Sequence, residues 1–285
     1  MAPISPTVAQ WELNQRLRQR RKDLGMPVKT ITDHMGFTRN YWSIVENDRR
    51  ILSDAQLSKV VDLFEFDADE GKELRALRAT AKGRGWWDQY SALLEEPVVR
   101  LFGMECGANA IRAYESGVMT GLLQTDDYAR AVASANVFVR EADIEQQLEM
   151  SRHRRTRLFG DDAQQLTVIL GEAVLLQQPG GAEVQREQLR YLAEMIEKCP
   201  NIDVRVLPFT ATGRGILGAS TFYLLDFPSA HLTTLVWHES VTFFGFLSDD
   251  QQVRDLTVIY SQAHDEALNR EDSLNRIHNA IGQIQ

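Results

Sequence analysis

Apolar positions recur at helical spacing through the first eighty residues, in short runs separated by glycine, proline and capping residues. Leu13, Leu17 and Leu24, with Trp11 ahead of them, form one stripe with the period of a helix. Arg16, Arg18, Arg20, Arg21 and Lys22 surround it, Gly25 supplies a stop and Pro27 a new start. A second helix is predicted from Val28 to Met35, burying Ile31 and Met35. Gly36 then breaks it in a left-handed conformation that a Cβ would disfavour. Phe37 is expected to plug the core and Thr38 to N-cap a third helix, about Arg39 to Glu46, that turns Trp42 and Val45 inward. Ser53 with Gln56, and Asp67 with Glu70, have the spacing of capping boxes. They open a fourth helix facing Leu57, Val60, Val61 and Phe64 to the core, and a fifth doing the same with Leu74 and Leu77.

Beyond residue 82 the pattern changes. Lys82-Gly83-Arg84-Gly85 reads as a hinge, which divides the chain into a mainly α unit over 1–82 and an α+β unit over 83–285. Trp86–Leu94, Glu105–Glu115, Asp126–Ala135 and Ala142–Leu158 read as helices. Leu166–Leu170, Asp203–Leu207, Ser220–Asp226, Leu232–Trp237 and Val241–Phe246 read as strands. An amphipathic helix near Glu183–Glu197 lies between the first two strands. A final helix from Asp250 turns Val253, Leu256, Tyr260, Ala263 and Ala267 inward. No repeat with a solenoid period occurs.

Charge redirects the reading towards a partner. The 285 residues carry a net −9, which argues at first against nucleic acid. Yet residues 11–50 hold nine Lys/Arg against five Asp/Glu, a local +4, and screening confines charge effects to about 8–10 Å at physiological salt. No apolar run of about 18 residues spans a membrane. MAPISPTVAQWELNQ lacks the basic and apolar regions of a signal peptide, so a cytoplasmic protein is expected. Cys106 and Cys199, the only cysteines, suit small buried apolar positions and make no disulfide framework.

With Trp42 and Val45 buried, the third helix presents Arg39, Asn40, Ser43 and part of Tyr41 outward. A helix fits the major groove, where Arg can be bidentate to guanine and Asn to adenine. Thr38 and the helix N-terminus can grip a phosphate through backbone N–H groups. Lys29, Asn47, Arg49 and Arg50 are expected to contact the DNA backbone, positioning without specifying. The expected partner is double-stranded DNA, bound by a homodimer.

From Leu17–Gly25 (LRQRRKDLG) through His34–Thr38 (HMGFT) to Ile44–Arg50 (IVENDRR), these residues resemble the Xre, or lambda-repressor-like, helix-turn-helix. Two departures stand out: no Gln opens the second helix, and Asp48 stands where that family commonly has Gly. The rest of the chain resembles the C-terminal domain of Xre regulators of high-GC bacteria described as WhiJ-like or antitoxin-like. The resemblance rests on GWWDQY (Gly85–Tyr90), ECGANAIRAYES (Glu105–Ser116), GLLQTDDYARA (Gly121–Ala131), RHRRTRL (Arg152–Leu158), EAVLLQQPGG (Glu172–Gly181), QLRYL (Gln188–Leu192) and VRVLPF (Val204–Phe209). Thr120 replaces the proline usual before GLLQT. The resemblance implies a transcription regulator whose second domain dimerises and senses a small partner protein or small effector. The alternative it leaves open is an antitoxin-type interaction protein that binds a small partner and autoregulates its operon. It transfers no catalytic residue and no cofactor.

Other constellations are weaker. His238-Glu239-Ser240 would put His238 and Ser240 on one strand face and Glu239 on the other. No HExxH, CxxC, GxSxG or Walker-type loop appears, and six scattered histidines form no ligand motif, so neither an enzyme nor a metal site is expected. Arg152, His153, Arg154, Arg155 and Arg157 spread round a helix as two rotated pairs. They suit a solvated or ion-paired face, with an anion or partner site as the sharper option. Gly213–Gly218 (GRGILG) precedes a strand, unlike a nucleotide loop, and reads as a flexible connection. Phe222, Tyr223, Trp237, Phe243, Phe244 and Phe246 are expected in the core, possible walls of a pocket for an apolar effector.

Overall fold

Local signals set the N-terminal helices where the pattern placed them. The computed structural model describes residues 5–211, 216, 218–240, 242–247 and 249–284. Most of Gly213–Gly218 and the start of the Val241–Phe246 segment lie outside the described residues. Helix α1 (Pro6–Asp23) starts earlier than its leucine stripe suggests, because Ser5 caps it and Pro6 occupies its first turn. At its other end Gly25 and Met26 donate to the carbonyls of Lys22 and Arg21, closing the helix on a glycine at φ 59°. Leu24 is therefore a C-cap residue and exposed, not part of the inward stripe. Helices α2 (Val28–Met35) and α3 (Arg39–Glu46) follow, then α4 (Asp54–Leu63) and α5 (Ala68–Ala81), each of the last two opened by its capping box. Leu13, Leu17, Ile31, Trp42, Val45, Leu57, Val60, Phe64 and Leu74 form one small core.

The larger unit is built on a six-stranded mixed sheet of order β3-β2-β1-β4-β5-β6. Its helices and strands run α6 (Glu96–Gly107), β1 (Ala110–Glu115), α7 (Asp126–Ala135), α8 (Ile144–Arg155), β2 (Gln165–Gly171), α9 (Ala173–Leu176), α10 (Ala182–Lys198), β3 (Ile202–Leu207), β4 (Phe222–Asp226), β5 (Leu235–Glu239), β6 (Phe244–Leu247), α11 (Asp250–Glu266) and α12 (Arg270–Gln283). Strands β1, β2 and β3 pair in parallel, while β4, β5 and β6 add antiparallel. Side-chain alternation shares the sheet between two layers. Ile111, Ala113, Val168, Val204 and Tyr223 face the main core with α10 and α12. Tyr114, Ile169, Phe222, Leu224 and Val236 face α11 through Tyr260 and Ala263.

Three expectations need correction. Glu105–Glu115 is not one helix: α6 ends at Gly107 and Ala110–Glu115 is β1, held between β2 and β4. The run AIRAYE contains good helix formers, but a strand with partners on both edges buries Ile111 and Ala113, and tertiary pairing overrides propensity. Trp86–Leu94 forms only a 3₁₀ turn over Trp86–Tyr90. The C-terminal run is two helices, α11 and α12, the second capped by Asn269.

Between α5 and the body, Lys82, Gly83 and Arg84 are exposed and Gly85 is half-buried. A Cβ on Gly85 would fall 2.2 Å from the Trp87 indole. Helix α1 belongs to both cores: Val8 and Trp11 enter the sheet core, whereas Leu13 and Leu17 enter the small one. Its first turns cross α6 at Gly103 and Gly107, where added Cβ atoms would lie 2.1 Å from Thr7 Oγ1 and 2.6 Å from Val8 Cγ2. Ser5 Oγ donates to the Gly103 carbonyl at 2.6 Å, and Trp11 meets Phe227 edge-on at 5.1 Å. The two units are thus joined through a shared helix.

Candidate nucleic-acid interface

Short helices must be locked from inside before they can present a surface. Gly36, at φ 67°, turns the chain between α2 and α3, and Phe37 N–H closes on the Thr32 carbonyl at 3.1 Å. Thr38 Oγ1 accepts from Tyr41 N–H at 3.1 Å and opens α3. Trp42 and Val45 lie fully inside, with the Trp42 ring edge-on to Phe64 at 6.0 Å. Phe37 is half-buried, stacked on Trp42 and tilted against Tyr41. That leaves Thr38, Arg39, Asn40, Ser43 and Asn47 exposed.

The remaining positions divide by what already holds them. Lys29 is exposed and bonds Asp33 one turn on at 2.6 Å. A surface pair of this kind contributes only about 0–1 kcal/mol, so Lys29 can exchange it for another anion. Asn47 donates to Ser43 O and Oγ at 2.8 and 3.2 Å, so its amide closes α3. Tyr41 is half-buried; its hydroxyl donates to Gln56 Oε1 at 3.1 Å and Arg50 covers its ring at 5.1 Å. Tyr41 therefore steadies Arg50. Arg49 is exposed but lines a cleft against the second unit.

Acid groups near this face are neutralised internally. Glu46 accepts from Arg21 at 2.6 Å, and Asp48 turns inward to Arg100 and Arg18 at 3.2 and 3.7 Å. Together with the Lys29–Asp33 pair, this leaves Arg39, Arg49 and Arg50 without an ion-pair partner among the described residues. A second hollow of 430 Å³ gathers Arg50, Ser53, Gln56, Arg78 and Lys82 beside the start of α4. Lys82 and Gln56 escaped the sequence reading, which assigned one to a linker and the other to a cap.

Asp48 has an unusual backbone and an unusual partner. It is a non-glycine residue in the left-handed region, at φ 60°. Its carboxyl, only 9% exposed, meets the α6 residue Arg100 across the junction of the two units. Burial pushes its pKa up, and the guanidinium groups of Arg100 and Arg18 partly offset that.

The chemistry of the larger unit is mostly structural. Arg154 is bidentate to Glu105 at 2.7 Å for both bonds. Burial opposes its charge, and Glu105 more than restores it. Gly121, in the GLLQT run, leaves room for that guanidinium: a Cβ there would sit 2.8 Å from Arg154 Nη1. Arg152 and Arg155 converge on Asp126, and Arg157 donates to backbone carbonyls of Cys106 and Asp162. The basic run is thus an ion-paired scaffold rather than an open anion site. His238 bonds Ser220 at 2.7 Å instead of sharing a site with Ser240, and Glu239 accepts from the Trp237 indole at 3.2 Å. Phe222, Tyr223 and Trp237 are buried and Phe243 is exposed. Cys106 and Cys199 are free thiols, half-buried against the sheet core. Among the described residues no group of three or more His, Cys, Asp or Glu could hold a metal ion, and no helix is long and apolar enough to cross a membrane.

Glu115 is the most perturbed carboxyl. It is fully buried at the end of β1 and accepts from Tyr223 and Thr221 hydroxyls, each at 2.9 Å. Burial pushes its pKa up to about 8, against those two bonds. The folded chain therefore holds a proton here that the unfolded chain releases above about pH 4.5. Stability from this group should fall as pH rises from about 4.5 towards about 8 and then level off. Glu115→Gln, measured by urea unfolding at several pH values, should flatten that slope. An unchanged slope would place the titration elsewhere.

A helical head carried on a mixed α/β body defines the class of molecule. The chain belongs to the family described as a domain of unknown function, DUF5753, whose match runs over residues 98–279. The match takes in most of α6, the whole sheet and most of α12, and leaves the five N-terminal helices outside it. No curated protein and no solved structure matches the chain.

Proposed function

We propose that the protein is a sequence-specific DNA-binding transcription regulator of the Xre type, in which α2, the Gly36 turn and α3 form the helix-turn-helix. The observation that carries this reading is the division of α3. Trp42 and Val45 anchor it, while Arg39, Asn40 and Ser43 stand clear, with no acid paired to them among the described residues. Arg39 and Asn40 read base edges in the major groove. Thr38, Lys29 and Arg50, with Asn47, hold the phosphates, and Lys82 extends that contact along the hollow beside α4. Two copies bind half-sites about 34 Å apart, since one short helix covers too little DNA for useful affinity. The DUF5753 body supplies the dimer contact and senses an effector or partner.

The test separates positioning from reading. Lys29→Ala should weaken binding to every duplex alike and lower the slope of log affinity against log salt by about 1. An unchanged slope would remove Lys29 from the backbone contacts. A second reading, an antitoxin-type protein whose main task is to bind a small partner, is favoured by one observation. Val137 and Phe138, after α7, are 88% and 77% exposed. Co-purification of a small protein that Phe138→Asp abolishes would support it.

A further inference from the structure

We infer that β6 is the dimer edge: it pairs antiparallel with β6 of a second copy, across a two-fold axis at Gly245. This deepens the reading of a DNA-binding homodimer and rests on it for the role of the heads.

The two outer strands of the sheet differ in how they end it. At β3, Val206 N–H donates to Ser273 Oγ at 3.0 Å and the Val206 carbonyl accepts from Leu268 N–H at 2.9 Å. The Ile202 carbonyl accepts from Arg270 at 2.7 Å, so the entry to α12 covers that edge. At β6 the ladder fixes which groups are spare. Glu239 N–H donates to the Thr221 carbonyl, and Ser240 N–H to that of Phe243. Phe243, Gly245 and Leu247 therefore turn their backbone groups to β5, and Phe244 and Phe246 turn theirs outward. Those outward groups meet no hydrogen-bond partner among the described residues. The strand Phe244–Leu247 has neither a charge nor a proline to guard it.

This edge complements itself. Turned about an axis through Gly245, Phe244 of one copy lies opposite Phe246 of the other and exchanges both backbone bonds with it. Gly245 then faces its own counterpart as a non-hydrogen-bonded pair, with Cα atoms about 4.5 Å apart and no side chains to collide. Phe243, 53% exposed beside His238, gains Leu247 of the second copy as its cross-strand neighbour.

The same axis suits the heads. It stands perpendicular to the sheet, so the face that Val8 and Trp11 of α1 enter points the same way in both copies. Both heads then lie on one side, as binding to one duplex requires. Arg100 of α6 reaches Phe246 at 5.5 Å and Asp48 at 3.2 Å, which ties the paired strand to the residues directly after α3.

Sedimentation of the full chain should show a dimer. A Cβ on Gly245 would meet nothing nearer than Phe243 Cζ at 3.9 Å, so the strand itself accepts a side chain there. Gly245→Lys and Gly245→Glu each set like charges opposite one another across the axis, and each should raise the dimer dissociation constant about tenfold. Mixed in equal amounts, the two variants should associate again as mixed dimers. If either unfolds, Phe243→Glu at its exposed position decides, and should also weaken the dimer about tenfold. A native chain that stays monomeric overturns the inference, as does a dimer that these variants leave unchanged or that mixing fails to restore. A dimer that behaves as expected, in a chain that selects no DNA sequence, keeps the interface and rejects the DNA reading. Selection of a two-fold site by a chain whose dimer ignores the variants does the reverse.

Discussion

Replacing Glu105 with alanine should lower the free energy of unfolding by about 3–5 kcal/mol, the cost of leaving a buried guanidinium without its carboxylate. Arg154, its side chain only 12% exposed, lies between α6, the Phe102 ring at 4.9 Å and the GLLQT turn, and donates from Nε and Nη2 to Glu105. Nothing else among its described hydrogen-bond partners can take the charge. The converse change, Arg154→Met, removes donor and charge together. It also keeps an apolar side chain against the Phe102 ring, so the loss should be smaller. Urea unfolding of the two variants beside the native chain checks this ordering. Equal and small losses would mean that water reaches the pair.

Trp42→Ala should cost a similar amount, about 3–5 kcal/mol, because it removes the largest fully buried side chain of the N-terminal core. The consequence for function is specific. Trp42 sits one position before Ser43 and holds α3 against Phe64, the C-cap of α4, so its loss frees the helix that presents Arg39 and Asn40. Thermal unfolding should show the loss, and DNA binding should fall even at temperatures where the sheet remains folded. A variant that melts early yet binds DNA with native affinity would separate α3 from recognition.

These two predictions differ in how visible they were in the sequence. The N-terminal unit was legible because its determinants are local: Gly36 at the turn, Thr38 at the cap, and the Ser53–Gln56 and Asp67–Glu70 boxes act within three or four residues. The helical stripe then fixed which face of α3 stays free. The body was less legible because its decisive contacts are distant. Glu105 and Arg154 lie 49 residues apart, and nothing near either announces the other. Strand β1 hides in AIRAYE, whose alternation is short and whose residues favour a helix; only β2 and β4 on its two edges make it a strand. The close approach of Trp87 to Gly85 is likewise not announced by the Lys82–Gly85 run.

Asp48 shows the same limit in one residue. From sequence it is a departure from a glycine pattern. In the structure its backbone is left-handed, a conformation that favours glycine, while its side chain reaches Arg100 in the other unit. The gain is an ion pair across the junction, set against a strained φ and a desolvated carboxylate.

The most direct measurement is selection of duplexes from a random pool by the full chain, followed by affinity of the selected site for native and Arg39→Ala protein. The account predicts enrichment of a two-fold symmetric sequence. It also predicts that Arg39→Ala weakens this site by about 1–3 kcal/mol, with discrimination lost at one base pair in each half. No enrichment, or a variant that keeps the same affinity and the same preferred bases, would contradict it.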